Sequence, residues 1–156
     1  MEKDRRCEGA RQVLVKYLEE HEMRKTPERF AMLDSIYTQS GHFNAEQLHK
    51  RLVPNMKISL ATVYNNLDLF LRARLIVRHD VGDSFMYERA MYIEPHYHYV
   101  CEFCREMFEV KDQLLLSIIQ NRKVKRFQPS HFTLYIYGTC AKCKSAMQRK
   151  ETKKKK

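Results

Sequence analysis

Two C-x-x-C pairs constrain this chain more than any other feature. Cys101-Glu102-Phe103-Cys104 and Cys140-Ala141-Lys142-Cys143 are separated by 35 residues. Four thiolates in two such knuckles can close a tetrahedron, which is the arrangement a structural Zn²⁺ requires. The spacer is longer than in a plain zinc ribbon, which predicts a small subdomain between the knuckles. Disulfides are the competing use of four cysteines. The N-terminus, Met1-Glu2-Lys3-Asp4-Arg5-Arg6, is charged, no apolar signal run follows it, and no stretch approaches a membrane span. The expectation is a cytoplasmic chain, whose reducing surroundings favour thiolate ligands over disulfides.

His96 and His98 precede the first knuckle on a strand-like run, where residues i and i+2 share a face. Two imidazoles on one face suggest a second metal, separate from the cysteines. Taken alone, a structural role explains them equally well, and a ligand role needs partners. Cys7 stands apart from the knuckles and reads as a bystander.

The 156 residues allow one domain or two small ones, and 31% charged residues argue for a soluble protein. The net charge of +10 is unevenly spread: residues 1–93 carry +2, residues 94–148 carry +3, and the terminal Arg149-Lys150-Glu151-Thr152-Lys153-Lys154-Lys155-Lys156 carries +5. Half of the excess therefore sits in a short tail, expected to be disordered, that serves either as a non-specific anchor for polyanions or as a solubilising end. Charge by itself does not establish DNA binding.

Along the chain, residues 3–22 read as a helix with Ala10, Val13, Leu14, Tyr17 and Leu18 on one face. Thr26-Pro27-Glu28 opens a second helix, with Thr as N-cap, Pro at the first helical position and a stripe of Phe30, Leu33, Ile36 and Tyr37. Asn44 followed by Gln47 is a capping-box arrangement for a third helix, with Leu48 and Leu52 inward. Ser59 caps a fourth, from Leu60 to about Arg74, whose core face is Leu60, Val63, Leu67, Phe70 and Leu71. Thr62, Tyr64, Asn65 and Asp68 face the other way, and small polar groups with an aromatic suit a helix that enters a major groove, although a solvated face accounts for them too. Leu75–His79 and Phe85–Arg89 form a hairpin pattern around Asp80-Val81-Gly82-Asp83-Ser84. Helices followed by a hairpin make a winged helix, with Arg24, Lys25 and Arg29 available for phosphates or simply solvated. Residues 90–95 read as a hinge. Beyond it come strands at 98–101 and 107–110, a helix capped by Asp112 with Leu115, Ile118 and Ile119 on one face, and a strand through Phe132–Tyr137. Such a thin core calls for reinforcement by zinc and by a partner subunit.

Four segments, in this order, carry a family resemblance: Thr26-Pro27-Glu28-Arg29, Ser59-Leu60-Ala61-Thr62-Val63-Tyr64-Asn65-Asn66-Leu67, His96-Tyr97-His98-Tyr99-Val100-Cys101-Glu102-Phe103-Cys104, and Leu134-Tyr135-Ile136-Tyr137-Gly138-Thr139-Cys140-Ala141-Lys142-Cys143. Over nearly its whole length the chain resembles the ferric uptake regulator (Fur) family of bacterial metalloregulators. The resemblance implies an α+β chain: a winged-helix DNA-binding domain over 1–89, a hinge over 90–95, an α/β dimerisation and metal-binding domain over 96–148, and the basic tail over 149–156. It implies a homodimer that binds palindromic double-stranded operators when loaded with a regulatory divalent metal, usually as a repressor, and no membrane partner. Structural zinc falls on Cys101, Cys104, Cys140 and Cys143. The regulatory site falls on His42, Glu88, His96, His98 and Glu109, a donor set that suits Fe²⁺, Mn²⁺ or Zn²⁺. DNA contacts fall on Lys25, Arg29, Ser59, Thr62, Tyr64 and Asn65.

The chain also departs from the family pattern. A further dimerisation-domain metal site found in many members would need donors where this chain has Pro95, Tyr97, Leu116 and Phe132, with His131 one residue away, so that site is expected to be absent. Asn65 stands where Arg is usual, which changes the expected operator. Zinc-uptake members tend to place a Cys in the sensing site, and none is near it here. Peroxide-sensing members favour Asp where this chain has Glu88 and Glu109. An Fe²⁺ sensor is therefore the expectation, with haem-, zinc- and peroxide-responsive regulators on the same scaffold as alternatives. A zinc hydrolase is the distant rival; it would need an open metal position and a general base, and neither H-E-x-x-H nor a deaminase signature is present.

Overall fold

The protein is described from a computed structural model, over residues 2–81, 84–92, 94–128 and 132–154. The chain divides into two compact units, Met1–Ile93 and Glu94–Lys156. The first holds α1 (Glu2–Glu20), α2 (Pro27–Tyr37), α3 (Ala45–Leu52), α4 (Leu60–Arg72), β1 (Ile76–Val81) and β2 (Ser84–Arg89). The second holds β3 (Tyr97–Cys101), β4 (Met107–Val110), α5 (Gln113–Gln120), β5 (Tyr135–Gly138) and α6 (Ala141–Lys154).

Local signals account for most helix starts in the first unit. Asn44 and Gln47 form the complete capping box, with Gln47 N–H on Asn44 Oδ1 at 2.8 Å and Asn44 N–H on Gln47 Oε1 at 2.9 Å. Ser59 Oγ accepts from Thr62 N–H at 3.1 Å at the start of α4. Thr26 precedes Pro27 as expected but makes no capping bond. Its hydroxyl engages Glu28 instead and, after that carboxylate's own backbone N–H, helps hold the group below its ordinary range. At its far end α4 closes on Arg74 in the left-handed region, with Leu75 N–H returning to Phe70 C=O at 2.9 Å.

The core of this unit packs Ala10, Leu14 and Leu18 of α1 against Leu33 and Ile36 of α2, Leu48 of α3, and Val63, Leu67 and Phe70 of α4. These are the apolar stripes expected from periodicity. Tyr37 is fully buried, and its hydroxyl donates to Leu75 C=O at 2.6 Å. β1 and β2 pair antiparallel, with Val77 opposite Glu88 and His79 opposite Met86. Phe43 adds a single bridge to Tyr87 through two backbone bonds of 2.9 and 2.7 Å. That bridge, just before α3, brings the neighbouring His42 alongside Glu88.

The second unit is a three-stranded sheet in the order β4-β3-β5. β3 is central, antiparallel to β4 and parallel to β5, and His98 lies opposite Glu109 on one side and Tyr135 on the other. The parallel connection carries α5, which Asp112 caps by accepting from Leu114 and Leu115 N–H at 3.0 and 3.1 Å. Two expectations need correction here. The buried residue of α5 is Leu116, whereas Ile118 is 50% exposed; a helix apolar almost all round gave periodicity no single face to select. Residues 149–154, expected to be a disordered tail, continue α6. Lysine is a good helix former, no Gly or Pro interrupts the run, and cations at a helix C-terminus suit its dipole. Lys155 and Lys156 lie outside the described residues, as does His131.

Candidate metal centres

The four knuckle cysteines converge. Their Sγ atoms all lie within 4.8 Å of one another, and Cys104 and Cys140 are 3.7 Å apart. Zn–S bonds of about 2.3 Å put the corners of a tetrahedron roughly 3.8 Å apart, so the cluster has the dimensions of a zinc site. Sequence-local geometry builds it. Arg105 turns the first knuckle by adopting a positive φ of 61°, with its N–H on Cys101 C=O at 2.9 Å. The second knuckle opens α6, where Cys140 N–H points to Cys101 Sγ at 3.4 Å and Cys143 N–H to Cys140 Sγ at 3.5 Å. Backbone N–H groups from Cys104 and Cys140 draw the Cys101 thiol down to about 6. Desolvation, and then hydrogen bonding to Cys104, push Cys143 up to about 12. Four adjacent thiols cannot all ionise unaided, and a divalent cation is what makes four thiolates compatible.

The other candidate ligands form two groups, one in each unit. In the first, Glu88 on β2 is buried, with His42 Nε2 at 3.5 Å from its Oε2. Donors on adjacent corners around a metal with bonds of about 2.1 Å stand roughly 3.0–3.4 Å apart, so this pair is spaced for one ion. His79 on β1 joins them: its Nε2 is 2.9 Å from Glu88 Oε1, and its ring lies edge-on to that of His42 with centroids 5.1 Å apart. Sequence reasoning missed His79 because it ended the strand there. The available signal was alternation, which places Val77, His79 and Val81 on one face and so marks the histidine as inward.

In the second unit, His96 and His98 bring their Nε2 atoms to 3.1 Å. His96 Nδ1 is 2.9 Å from Glu94 C=O. A carbonyl can only accept, so Nδ1 carries the proton and Nε2, which faces His98 Nε2, is the lone-pair nitrogen. Glu109 places a carboxylate oxygen within 4.8 Å of the His96 donor atom. Among the described residues, the buried polar or charged side chains are Asn66, His79, Glu88 and His98. Burying such groups is costly unless they are paired or coordinate a metal, and three of the four belong to these groups.

The residues expected at DNA occupy varied settings. Tyr64 and Asn65 project from α4, with Tyr64 42% exposed. Thr62 shares a 2.8 Å hydroxyl bond with Ser59. Lys25 pairs with Glu19 at 2.5 Å on the surface. Arg29 bonds Asn66 Oδ1 at 3.3 Å and also reaches Arg24 C=O, so it ties the start of α2 to α4.

The sequence model of the Ferric uptake regulator family matches residues 20–137. The chain belongs to the ferric uptake regulator family. It is accordingly a metal-responsive, DNA-binding transcriptional regulator of the Fur type. Among curated proteins it is 35% identical over 131 residues to the Peroxide operon regulator of Bacillus subtilis, covering 81% of this chain and 88% of that one. It is 31% identical over 124 residues to the Peroxide-responsive repressor PerR of Staphylococcus epidermidis, covering 78% and 82%. Among solved structures, the ferric uptake regulator of Vibrio cholerae matches with a TM-score of 0.62 at 30% identity, over 80% of this chain and 98% of that one. The ferric uptake regulator of Pseudomonas aeruginosa, solved with manganese, matches with a TM-score of 0.69 at 26% identity, over 80% and 95%. In this Fur-family chain no helix among the described residues is long and apolar enough to cross a membrane.

Proposed function

We propose that this Fur-family regulator senses Fe²⁺, or a similar divalent ion, through His42, Glu88, His96, His98 and Glu109, while Cys101, Cys104, Cys140 and Cys143 hold a structural zinc. The observation that carries the reading is the buried Glu88 carboxylate beside His42, a pair of donors at ligand spacing inside the winged-helix unit. The converging Nε2 atoms of His96 and His98 supply the complementary set in the second unit. A metal held by these residues raises the fraction of molecules competent to bind a palindromic operator. Thr62, Tyr64 and Asn65 read base edges, Lys25, Arg29 and Ser59 lie near phosphates, and the bound protein acts as a cytoplasmic repressor of metal-homeostasis genes without catalysing a reaction. Exposed Tyr99 and Phe108, register partners on one face of the second unit's sheet, give a homodimer apolar surface to bury.

A peroxide-responsive reading is favoured by the names of the curated relatives. Glutamate at both 88 and 109 favours the iron reading. The deciding experiment measures operator affinity of zinc-replete protein titrated with Fe²⁺ or Mn²⁺ without oxygen, before and after micromolar peroxide. Iron sensing predicts metal-dependent binding that survives peroxide. Loss of binding in the Fe²⁺ form alone, with oxidised ligand histidines by mass spectrometry, would establish the peroxide reading. Binding indifferent to both metals would reject the regulatory site.

A further inference from the structure

His79 is 1% exposed on β1. The β1–β2 register sets Val77 opposite Glu88 and His79 opposite Met86, so His79 and Glu88 are diagonal neighbours on one face of the hairpin. As a metal ligand Glu88 is a carboxylate, which only accepts hydrogen bonds, so across the 2.9 Å separation His79 Nε2–H donates to Glu88 Oε1. The other oxygen, Oε2, is the one near His42. The two oxygens of one buried carboxylate therefore have separate duties, one held by His79 and one turned toward the candidate metal ligand.

We infer that His79 is a positioning residue for the regulatory metal: it fixes the Glu88 carboxylate so that Oε2 is presented beside His42. The inference rests on the reading of His42 and Glu88 as metal ligands. A glutamate has three side-chain torsions to order before it can ligate, and a buried hydrogen-bond partner orders them in advance. Anchoring at Oε1 also disfavours bidentate use of the carboxylate, which leaves a monodentate oxygen beside imidazole, a donor set for a transition metal rather than for calcium. An aliphatic side chain would fill the position as well sterically and would lack the donor.

The test uses full-length protein with its cysteine-bound zinc in place, titrated with Co²⁺, whose visible absorption reports the ligand set. His79→Leu removes the donor, whereas His79→Gln keeps an amide N–H near the position of Nε2 but is a poor ligand for Co²⁺. The expected result is a 10–100-fold weaker Co²⁺ affinity in His79→Leu, typical of a lost partner of a metal ligand. His79→Gln should recover most of it with an unchanged spectrum, and zinc content should stay constant in both. Should His79→Leu fail to fold by circular dichroism, His79→Asn, too short to reach Glu88, takes its place. Wild-type affinity in the Leu or Asn variant overturns the inference and leaves the regulatory site standing. A Gln variant as weak as Leu, with an altered spectrum, also overturns it, because His79 would then be a ligand itself. Wild-type protein that binds no Co²⁺ beyond the cysteine site overturns the regulatory-site reading instead.

Discussion

The Tyr64 hydroxyl donates to Glu46 Oε1 at 2.7 Å, linking the exposed face of α4 to the first turn of α3. This bond orients a tyrosine that propensity and periodicity could only describe as exposed. It also holds the Glu46 carboxyl below its ordinary value of 4.5 and raises the Tyr64 phenol above 10.0. A depressed carboxyl contributes stability that is present above its unfolded-state value and lost as pH falls through the folded one. A raised phenol contributes stability that is present below 10 and lost as pH rises through the folded value. Neither changes between pH 6 and 8. Tyr64→Phe should move the Glu46 titration up toward the ordinary carboxyl range, only part of the way because its own backbone N–H still lowers it, and ¹³C NMR of the side-chain carboxyl would report the shift; an unmoved titration would show that the bond does not persist in solution.

Truncating the same residue tests the DNA assignment. Tyr64→Ala should weaken specific operator binding by about 1–3 kcal/mol while leaving metal content unchanged. Fluorescence anisotropy with operator and scrambled duplexes separates the cases. An equal loss on both duplexes would remove Tyr64 from the base-reading set.

The cysteine cluster should behave as a folding element. Cys104→Ser is expected to lose one zinc per subunit, measured by native mass spectrometry, and to lower the thermal midpoint of the second unit, since metal binding there is folding free energy. A strong chelator should reproduce both effects in the wild type. A variant that keeps both its zinc and its midpoint would refute the four-thiolate site.

The proposed histidine ligands should give a separate metal-loss phenotype. His98→Ala should keep the cysteine-bound zinc and lose metal-dependent operator binding. In the wild type the second metal should leave as pH falls toward about 6, because only neutral imidazole coordinates. Equilibrium dialysis across pH 5.5–7.5 reads this directly. A metal retained unchanged at the acid end would point to an all-carboxylate or thiolate site.

Packing predictions follow from burial. Leu116→Ala should cost about 2–5 kcal/mol in chemical denaturation, whereas Ile118→Ala should be nearly neutral in the monomer. Ile118→Asp should instead weaken self-association in sedimentation equilibrium. Tyr37→Phe should cost about 0.5–1.5 kcal/mol, at the level of one net hydrogen bond, because Leu75 C=O still accepts from Ala90 N–H at 2.9 Å. Desolvation raises the Tyr37 phenol, so its contribution is complete below pH 10 and is lost only above it.

What the sequence by itself determined was everything written in local pattern. The capping box at Asn44 and Gln47, the stripes of α1 to α4, the β1–β2 hairpin and the two knuckles each depend on residues a few positions apart, and covalent geometry converts such spacing into shape. The cysteine set was legible for the same reason, since a C-x-x-C turn presents two thiols whatever surrounds it. Tertiary structure alone decided the rest. His79 meets Glu88 because of strand register, Glu46 meets Tyr64 because α3 packs on α4, and His42 reaches Glu88 through the Phe43–Tyr87 bridge. None of these pairings has a sequence period. On α5, apolar residues nearly encircle the helix, so only packing could select Leu116 over Ile118. The run of α6 through Lys154 had no apolar stripe to reveal it; its lysines carry helix propensity and charge, which read equally well as a tail until the second knuckle started a helix at the cysteine cluster.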